Sequence, residues 1–380
     1  MNSSRFETDD DLMRLALGLA EQGRGSVEPN PMVGCVIVRD DQVIGQGYHQ
    51  RFGGPHAEVH ALRDAGDARG ATAYVTLEPC CHHGKTPPCS DALIAAGISR
   101  VVVAMADPFE RVDGGGLAQL QRAGIETRVG VLEQQARELN APYLKRLKTG
   151  RPFTIAKWAM TVDGRIATST GQSQWISNEA SRADVHALRG RVDAIAVGMG
   201  TVMADDPMLT ARPAGVRTAT RVVFCANRLP TTRSRLIQSA TEVPVLLIVS
   251  PRIGSSDVAE LEQLGASVYR CTSSNLVQMI HQTLDFLGGQ GMTNVMIEGG
   301  GKLMASFLTA DAIDQYEVYI GAKVFGGHRA LGPVAGEGFA SVAEAAALRL
   351  VSLQRLGDND VKLVYRNTPR GRFDAPDVSQ

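Results

Sequence analysis

The sequence lacks an excess of charge of either sign. It carries 39 Lys and Arg against 40 Asp and Glu, a formal net charge of −1. Nucleic-acid binders usually show a basic excess or a basic stripe. Residues 1–146 lean the other way, with 15 basic against 19 acidic residues, so no nucleic-acid partner is expected. No run of about eighteen apolar residues occurs, so no membrane-spanning helix is expected. The opening stretch MNSSRFETDDDLMRL is acidic and has no apolar h-region. No signal peptide is expected, and a cytoplasmic location is. Internal repeats and low-complexity tracts are absent. Cysteine is scarce, at six in 380 residues, too few for a disulfide framework. Three of the six fall in one short stretch, LEPCCHHGKTPPC at 77–89. In a reducing compartment such a cluster indicates metal binding or catalysis.

An apolar fraction of 44% is enough for ordinary cores, and 380 residues suggest two domains. Leu12, Met13, Leu15, Ala16 and Leu19 form a helical stripe over 10–22. Strands are expected at 32–38 and 42–48 as a hairpin, and at 71–77, 100–105 and 125–131. Helices are expected at 56–66, ended by Gly66, at 90–97 and near 115–123. The basic, Gly- and Pro-containing stretch 144–152 is the expected boundary, giving domains 1–147 and 148–380. Beyond it, a strand over 153–167 runs into a turn at Asp163-Gly164. A helix near 178–189 and strands at 193–198, 221–224, 243–250 and 267–269 follow. A helix at 275–287, a strand–glycine–helix unit at 294–308, and closing strands at 315–322 and 361–366 complete the pattern. The polar tail from Asn367 is expected to fray. Strands alternating with helices predict an α/β protein whose sheets are mostly parallel and covered by helices.

His56-Ala57-Glu58 opens a helix, Cys80 follows a strand and a proline, and Cys89 follows Pro87-Pro88 and precedes a helix. One His and two Cys on zinc leave a position open for water and lower its pKa. A nearby carboxylate that is not a ligand must then move protons, and Glu58 suits that role. The generic deaminase signature is H-x-E followed by P-C-x-x-C. Here H-A-E is intact, but the second part is P-C-x8-C, so the match is partial. Cys81 is a weak ligand candidate, because neighbouring side chains diverge in extended chain. A closed four-ligand site using Cys81 or His83 would be structural and would leave Glu58 without a task.

The segments PNPMVG (29–34), GYH (47–49), HAE (56–58) and TLEPCCHHGKTPPC (76–89) resemble the deaminase half of the riboflavin-biosynthesis bifunctional deaminase–reductases. In that family the long insert between the cysteines is the rule. The resemblance implies a cytidine-deaminase-like three-layer domain with zinc on His56, Cys80 and Cys89 and with Glu58 as proton carrier. It also implies substrate contacts from Asn30, His49, His82 and Lys85, the last suited to a phosphate. Cys81 departs from the small polar residue common there and is read as a bystander. His83 falls at a variable position and is expected to be solvated. Cys35, Cys225 and Cys271 sit in apolar or strand contexts and are read as core thiols.

In the second half, IEGGGKLMASF (297–307) places glycines between a strand and a helix, where backbone N–H groups can approach a pyrophosphate. It is not G-x-G-x-x-G, so the Rossmann fingerprint is missing. Residues 197–212 read as a second polar, glycine-containing crossover. The segments at 156–167, 171–177, 188–195, 200–210 and 298–303 resemble the family's reductase half, which has a dihydrofolate-reductase-like fold and uses NADPH. That resemblance implies a dinucleotide side of Ala159, Trp175, Thr201, Asp205 and the run Gly300, Gly301, Lys302, Leu303, Met304, Ala305 and Ser306. The substrate side would be Ser173, Arg189, Leu209, Arg212 and Glu298. Lys157 and Asp205 are the candidates for the polar work around hydride addition.

The expected substrate is a small phosphorylated aminopyrimidine, first deaminated and then reduced in its ribose. A homo-oligomer is compatible with this reading. A deaminase of free or RNA-bound bases fused to an inactive domain, and a zinc-stabilised binding protein, are the alternatives at this point.

Overall fold

The computed structural model describes residues 8–82, 87–109 and 112–368. Lys85 and His83 lie outside them, as does most of the polar tail. The chain divides into two compact units, Met1–Gly150 and Arg151–Gln380.

The first unit begins with α1 (Asp9–Glu21), capped by Thr8, whose hydroxyl accepts from the Asp11 N–H at 3.2 Å. There follow β1 (Gly34–Arg39), β2 (Gln42–Tyr48), α2 (Ala57–Ala65), β3 (Thr72–Val75), α3 (Cys89–Ala95), β4 (Arg100–Val103), α4 (Gly115–Arg122), β5 (Glu126–Val129), α5 (Glu133–Leu139) and α6 (Ala141–Thr149). The sheet order is β2-β1-β3-β4-β5. Its central strands alternate sides. Val36, Val38, Tyr74 and Val102 pack with Leu12, Met13 and Ala16 of α1. Cys35, Ile37, Ala73 and Val101 pack with Ala57 and Ala61 of α2 and Leu93 of α3. Strands buried on both faces explain the near-continuous apolar runs, and the result is three layers. The expectation of a mostly parallel sheet is corrected here. β1 runs antiparallel to both β2 and β3, and only β3–β4 and β4–β5 are parallel. The short hairpin loop between β1 and β2 allows nothing else for that pair.

Gly47 sets where α2 lies. A Cβ there would come within 2.5 Å of the Ala57 carbonyl and the Ala61 N–H. The helix start carrying His56 and Glu58 therefore rests directly on the β2 backbone.

The second unit contains β6 (Phe153–Thr161), α7 (Glu179–Arg189), β7 (Ala194–Gly198), α8 (Met199–Asp205), β8 (Thr220–Cys225), α9 (Arg235–Gln238), β9 (Val245–Val249), α10 (Ser255–Gln263), β10 (Ser267–Arg270), α11 (Leu276–Gly289), β11 (Asn294–Ile297), α12 (Gly301–Thr309), β12 (Gln315–Gly321), β13 (Leu348–Leu356) and β14 (Asp360–Asn367). The sheet order is β10-β9-β8-β7-β11-β6-β12-β14-β13. It is parallel from β10 to β12, and β14 and β13 add antiparallel at one edge. Ala156, Ala196, Phe224 and Ile297 pack under Leu284 of α11 and Phe307 of α12. Because side chains alternate along a strand, Lys157 of β6 faces the other side.

Several elements went unanticipated, the short α9 and the following three among them. α8 has a single buried side chain, Val202, and so no apolar stripe. α10 buries only Val258 and Leu261. β13 is an edge strand buried only at Leu356. The expected strand 153–167 stops at Thr161, and the stretch 144–152 is helical through Thr149.

Candidate metal centre and reductase site

His56 precedes the first turn of α2 in extended conformation, with φ −77° and ψ 168°. Cys80 lies in the loop after β3, and Cys89 opens α3. His56 Nδ1 is 3.2 Å from Cys89 Sγ and 3.5 Å from Cys80 Sγ. Donors sharing one tetrahedral zinc, at bonds of about 2.0 Å to nitrogen and about 2.3 Å to sulfur, lie roughly 3.5 Å apart. The donor set fits that ion. Among the described residues these three form the metal-compatible group, with ligand atoms within 4.8 Å of one another. The Cys89 N–H points at Cys80 Sγ, 3.4 Å away. Hydrogen bonding to Cys89 outweighs burial and, with His56, holds the Cys80 thiol down at about 4. The same contact pushes Cys89 up. The two sulfurs share a proton between them, and a bound cation favours its loss. Cys81 is half-buried and turns toward the start of α4, where a Cβ on Gly115 would meet its sulfur at 2.7 Å. Cys35, Cys225 and Cys271 are buried, as expected of core thiols.

Glu58 is 3% exposed in the first turn of α2. Burial raises its pKa against the opposing pull of His56. Its Oε2 has no hydrogen-bond partner. An unmet buried acceptor is costly, on the order of 1–3 kcal/mol, and marks an atom with other work.

Glu58, His56 and Cys80 line a cavity of about 290 Å³ together with Asn30, His49 and His82. Asn30 Nδ2 lies 3.4 Å from His49 Nε2, and His49 Nδ1 lies 3.0 Å from the Pro55 carbonyl. Burial lowers the His49 pKa and favours the neutral ring. His82 meets the Phe109 ring edge-on at 6.1 Å.

Four polar cavity residues were missed by sequence reasoning: Glu78, Asp107, Tyr143 and Arg146. Glu78 Oε1 accepts from the N–H groups of Gly116 and Leu117 at 3.0 and 3.2 Å, and Oε2 from Gly114 and Asp107 at 3.2 and 3.3 Å. It ties the start of α4 beneath the cysteine loop. Gly116 permits the contact, since a Cβ there would sit 1.9 Å from the Pro79 carbonyl. Asp107 is raised by burial and accepts from the Tyr143 hydroxyl at 2.9 Å. The signal for Glu78 was its place two residues before Cys80. Tyr143 and Arg146 had no local signal.

In the second unit, Glu298 follows β11 and receives Lys157 Nζ at 2.6 Å, Arg189 Nη2 at 2.6 Å and Arg189 Nε at 2.9 Å. Burial would raise the Glu298 carboxyl. The charges and hydrogen bonds of Lys157 and Arg189 overcome it and hold the group at about 2. Asp205 is not brought to this cluster. It is exposed at the end of α8, and among the described residues no ion pair joins it to Lys157. Thr201 Oγ1 accepts from the Gly300 N–H at 3.0 Å, linking the two glycine-containing crossovers. Gly300 caps α12, and Gly301 to Ser306 form its first turns. Leu303 and Met304 bury their side chains in the core, Lys302 is exposed, and Ala305 and Ser306 are half-buried. Ala159 and Ser173 are half-buried, and Trp175 is exposed beneath the Arg182 guanidinium, 4.8 Å from the ring centroid. Arg189 and Leu209 line a cavity of about 180 Å³. Arg212 is exposed, and its N–H donates to His186 Nδ1 at 3.2 Å.

Comparison with known proteins agrees with both halves. Residues 6–105 match the cytidine and deoxycytidylate deaminase zinc-binding region, and residues 152–363 match the RibD C-terminal domain. The riboflavin biosynthesis protein RibD of Actinobacillus pleuropneumoniae is 41% identical over 369 residues, 96% of each chain. That of Escherichia coli (strain K12) is 40% identical, covering 92% of this chain and 97% of its own. A solved Acinetobacter baumannii RibD superposes with a TM-score of 0.80 at 37% identity, over 95% of this chain and 99% of its own. The Thermotoga maritima diaminohydroxyphosphoribosylaminopyrimidine deaminase/5-amino-6-(5-phosphoribosylamino)uracil reductase does so with 0.82 at 33% identity, over the same shares. With likeness at this level along nearly its whole length, the chain belongs to the RibD family of riboflavin-biosynthesis proteins.

Proposed function

We propose that the chain is a two-step enzyme of riboflavin biosynthesis. It removes the 2-amino group of 2,5-diamino-6-(5-phosphoribosylamino)pyrimidin-4-one by zinc-dependent hydrolysis. It then reduces the ribosyl side chain of the product to ribityl with NADPH. The observation that carries the reading is the Glu58 carboxyl, buried and with one oxygen unmet, on the same cavity as His56 and Cys80. The first step belongs to residues 1–147 and the second to 148–380.

When bound by His56, Cys80 and Cys89, zinc supplies the Lewis acidity that makes water nucleophilic near neutral pH. Glu58 Oε2 takes up the first proton that water gives up and passes it to the ring nitrogen. It then takes the second proton, from the hydroxyl now on the ring carbon, and passes it to the amino group, which leaves as ammonia. Asn30, His49 and His82 hold the pyrimidine, and Lys85 meets its phosphate. In the second half NADPH supplies the hydride. The N–H groups opening α12 receive its phosphates, with Thr201 fixing the Gly300 backbone. Ala159, Trp175 and Asp205 complete the dinucleotide side. Lys157 Nζ donates to the sugar oxygen as charge develops, and Glu298 holds that ammonium in place. Both Arg189 nitrogens facing Glu298 are engaged, so Arg189 orients the carboxylate. The exposed Arg212 meets the phosphate, beside Ser173 and Leu209.

The substrate is a small molecule, and no nucleic-acid partner follows from the charge balance. No helix of the described residues is long and apolar enough to cross a membrane, in keeping with a cytoplasmic location. An assay of ammonia release followed by NADPH oxidation on one sample of the diaminopyrimidine tests the reading. Stoichiometric ammonia and then NADPH loss are expected. Deamination of cytidine or tRNA in place of that substrate overturns it.

A further inference from the structure

One wall of the first-unit cavity is supplied by α6, through Tyr143, Arg146 and Leu147. Spacings of three and four residues put these side chains on one helix face. Among the described residues that line the cavity, Arg146 is the sole lysine or arginine. Its Nε is closed off from solvent and has no hydrogen-bond partner. The nearby acid of that wall is already engaged, because Asp107 Oδ1 accepts from the Tyr143 hydroxyl at 2.9 Å and the Phe109 N–H at 3.0 Å. The Gly150 N–H closes the last turn of α6 on the Arg146 carbonyl at 2.8 Å, so the side chain is carried by a finished helix end. The helix dipole favours a cation at that end. The cavity therefore combines buried acids with one guanidinium whose Nε has no partner.

We infer that Arg146 is a second contact, beside Lys85, for the phosphate monoester of the substrate in the deamination cavity. The guanidinium fork matches phosphate oxygens two at a time, and a partly desolvated one does so most strongly. This rests on the deaminase reading for the rest of the substrate, but the anion-binding claim is separable from it. Arg146 acts here as a binding residue, outside the proton transfers assigned to Glu58.

The test uses the zinc-loaded full chain with Arg146→Gln and Arg146→Lys. Ammonia release is measured on the phosphorylated aminopyrimidine and on the same compound after phosphatase treatment. Arg146→Gln should lower kcat/KM for the phosphorylated substrate by about 10- to 100-fold, the scale of one charge-assisted contact. On the dephosphorylated compound the two proteins should converge within about threefold. Arg146→Lys should lie between, since it keeps the charge and loses the fork. Equal losses on both compounds, or no loss on either, overturn the inference. Calorimetric titration with ribose 5-phosphate keeps the question open to measurement if wild type deaminates neither compound. Binding in the second unit is common to both proteins and cancels in the comparison. A weaker or missing binding event in Arg146→Gln supports the contact, and superimposable isotherms exclude it.

Discussion

Replacing Glu298 by Gln removes the one anion between Lys157 and Arg189. The folded carboxyl is held at about 2 against an ordinary value of 4.5. A difference of roughly 2.5 units corresponds to about 3 kcal/mol of stability at neutral pH. The depressed carboxyl binds fewer protons in the folded state, so this contribution is fully present above pH 4.5. It is lost as pH falls from there toward 2. The two tryptophans, Trp158 and Trp175, both lie in the second unit, so tryptophan fluorescence follows that unit alone. Urea unfolding of Glu298→Gln at pH 7 should lose about 3 kcal/mol, a midpoint shift of roughly 1–2 M. The gap to wild type should narrow when the titration is repeated at pH 4 and again at pH 3. An unchanged midpoint at pH 7, or a gap that stays constant down to pH 3, refutes the charge-clamp reasoning.

Metal analysis should find one zinc per chain in wild type and in Cys81→Ser, and loss in His56→Ala, Cys80→Ser and Cys89→Ser. Equal loss in Cys81→Ser overturns the ligand assignment. Glu58→Gln should keep zinc while ammonia release falls by about two to four orders of magnitude. Near-normal release would remove Glu58 from the chemistry, and zinc loss would make it a ligand. Cys89→Ser should abolish deamination yet leave reduction of supplied deaminated product intact, with Lys157→Ala doing the reverse, because distant sites without shared partners act independently. Collapse of both steps in either folded variant contradicts that division.

The zinc centre was legible because its determinants are short-range. His56 and Glu58 are two residues apart, and the helix start brings both onto one cavity, with His56 against the cysteines and Glu58 buried in the first turn. Prolines before Cys80 and Cys89 mark the loops from which they reach His56. Apolar periodicity likewise disclosed most strands and helices, since buried faces leave a pattern. α8 and β13 left none, because they bury one side chain each.

By itself the sequence determined the two α/β halves, the glycine turn before α12 and the His-Cys-Cys set with its carboxylate. The tertiary structure decided which charged groups meet. Lys157 and Glu298 are 141 positions apart, and Arg189 and Glu298 109. They join because β11 lies between β6 and β7. Asp205 carries the same charge as Glu298 but ends α8 in solvent, outside the cluster. Arg146 lines the first cavity from α6, the last helix of its unit. Such encounters depend on strand order and helix placement, which the whole core sets, and no local spacing records them.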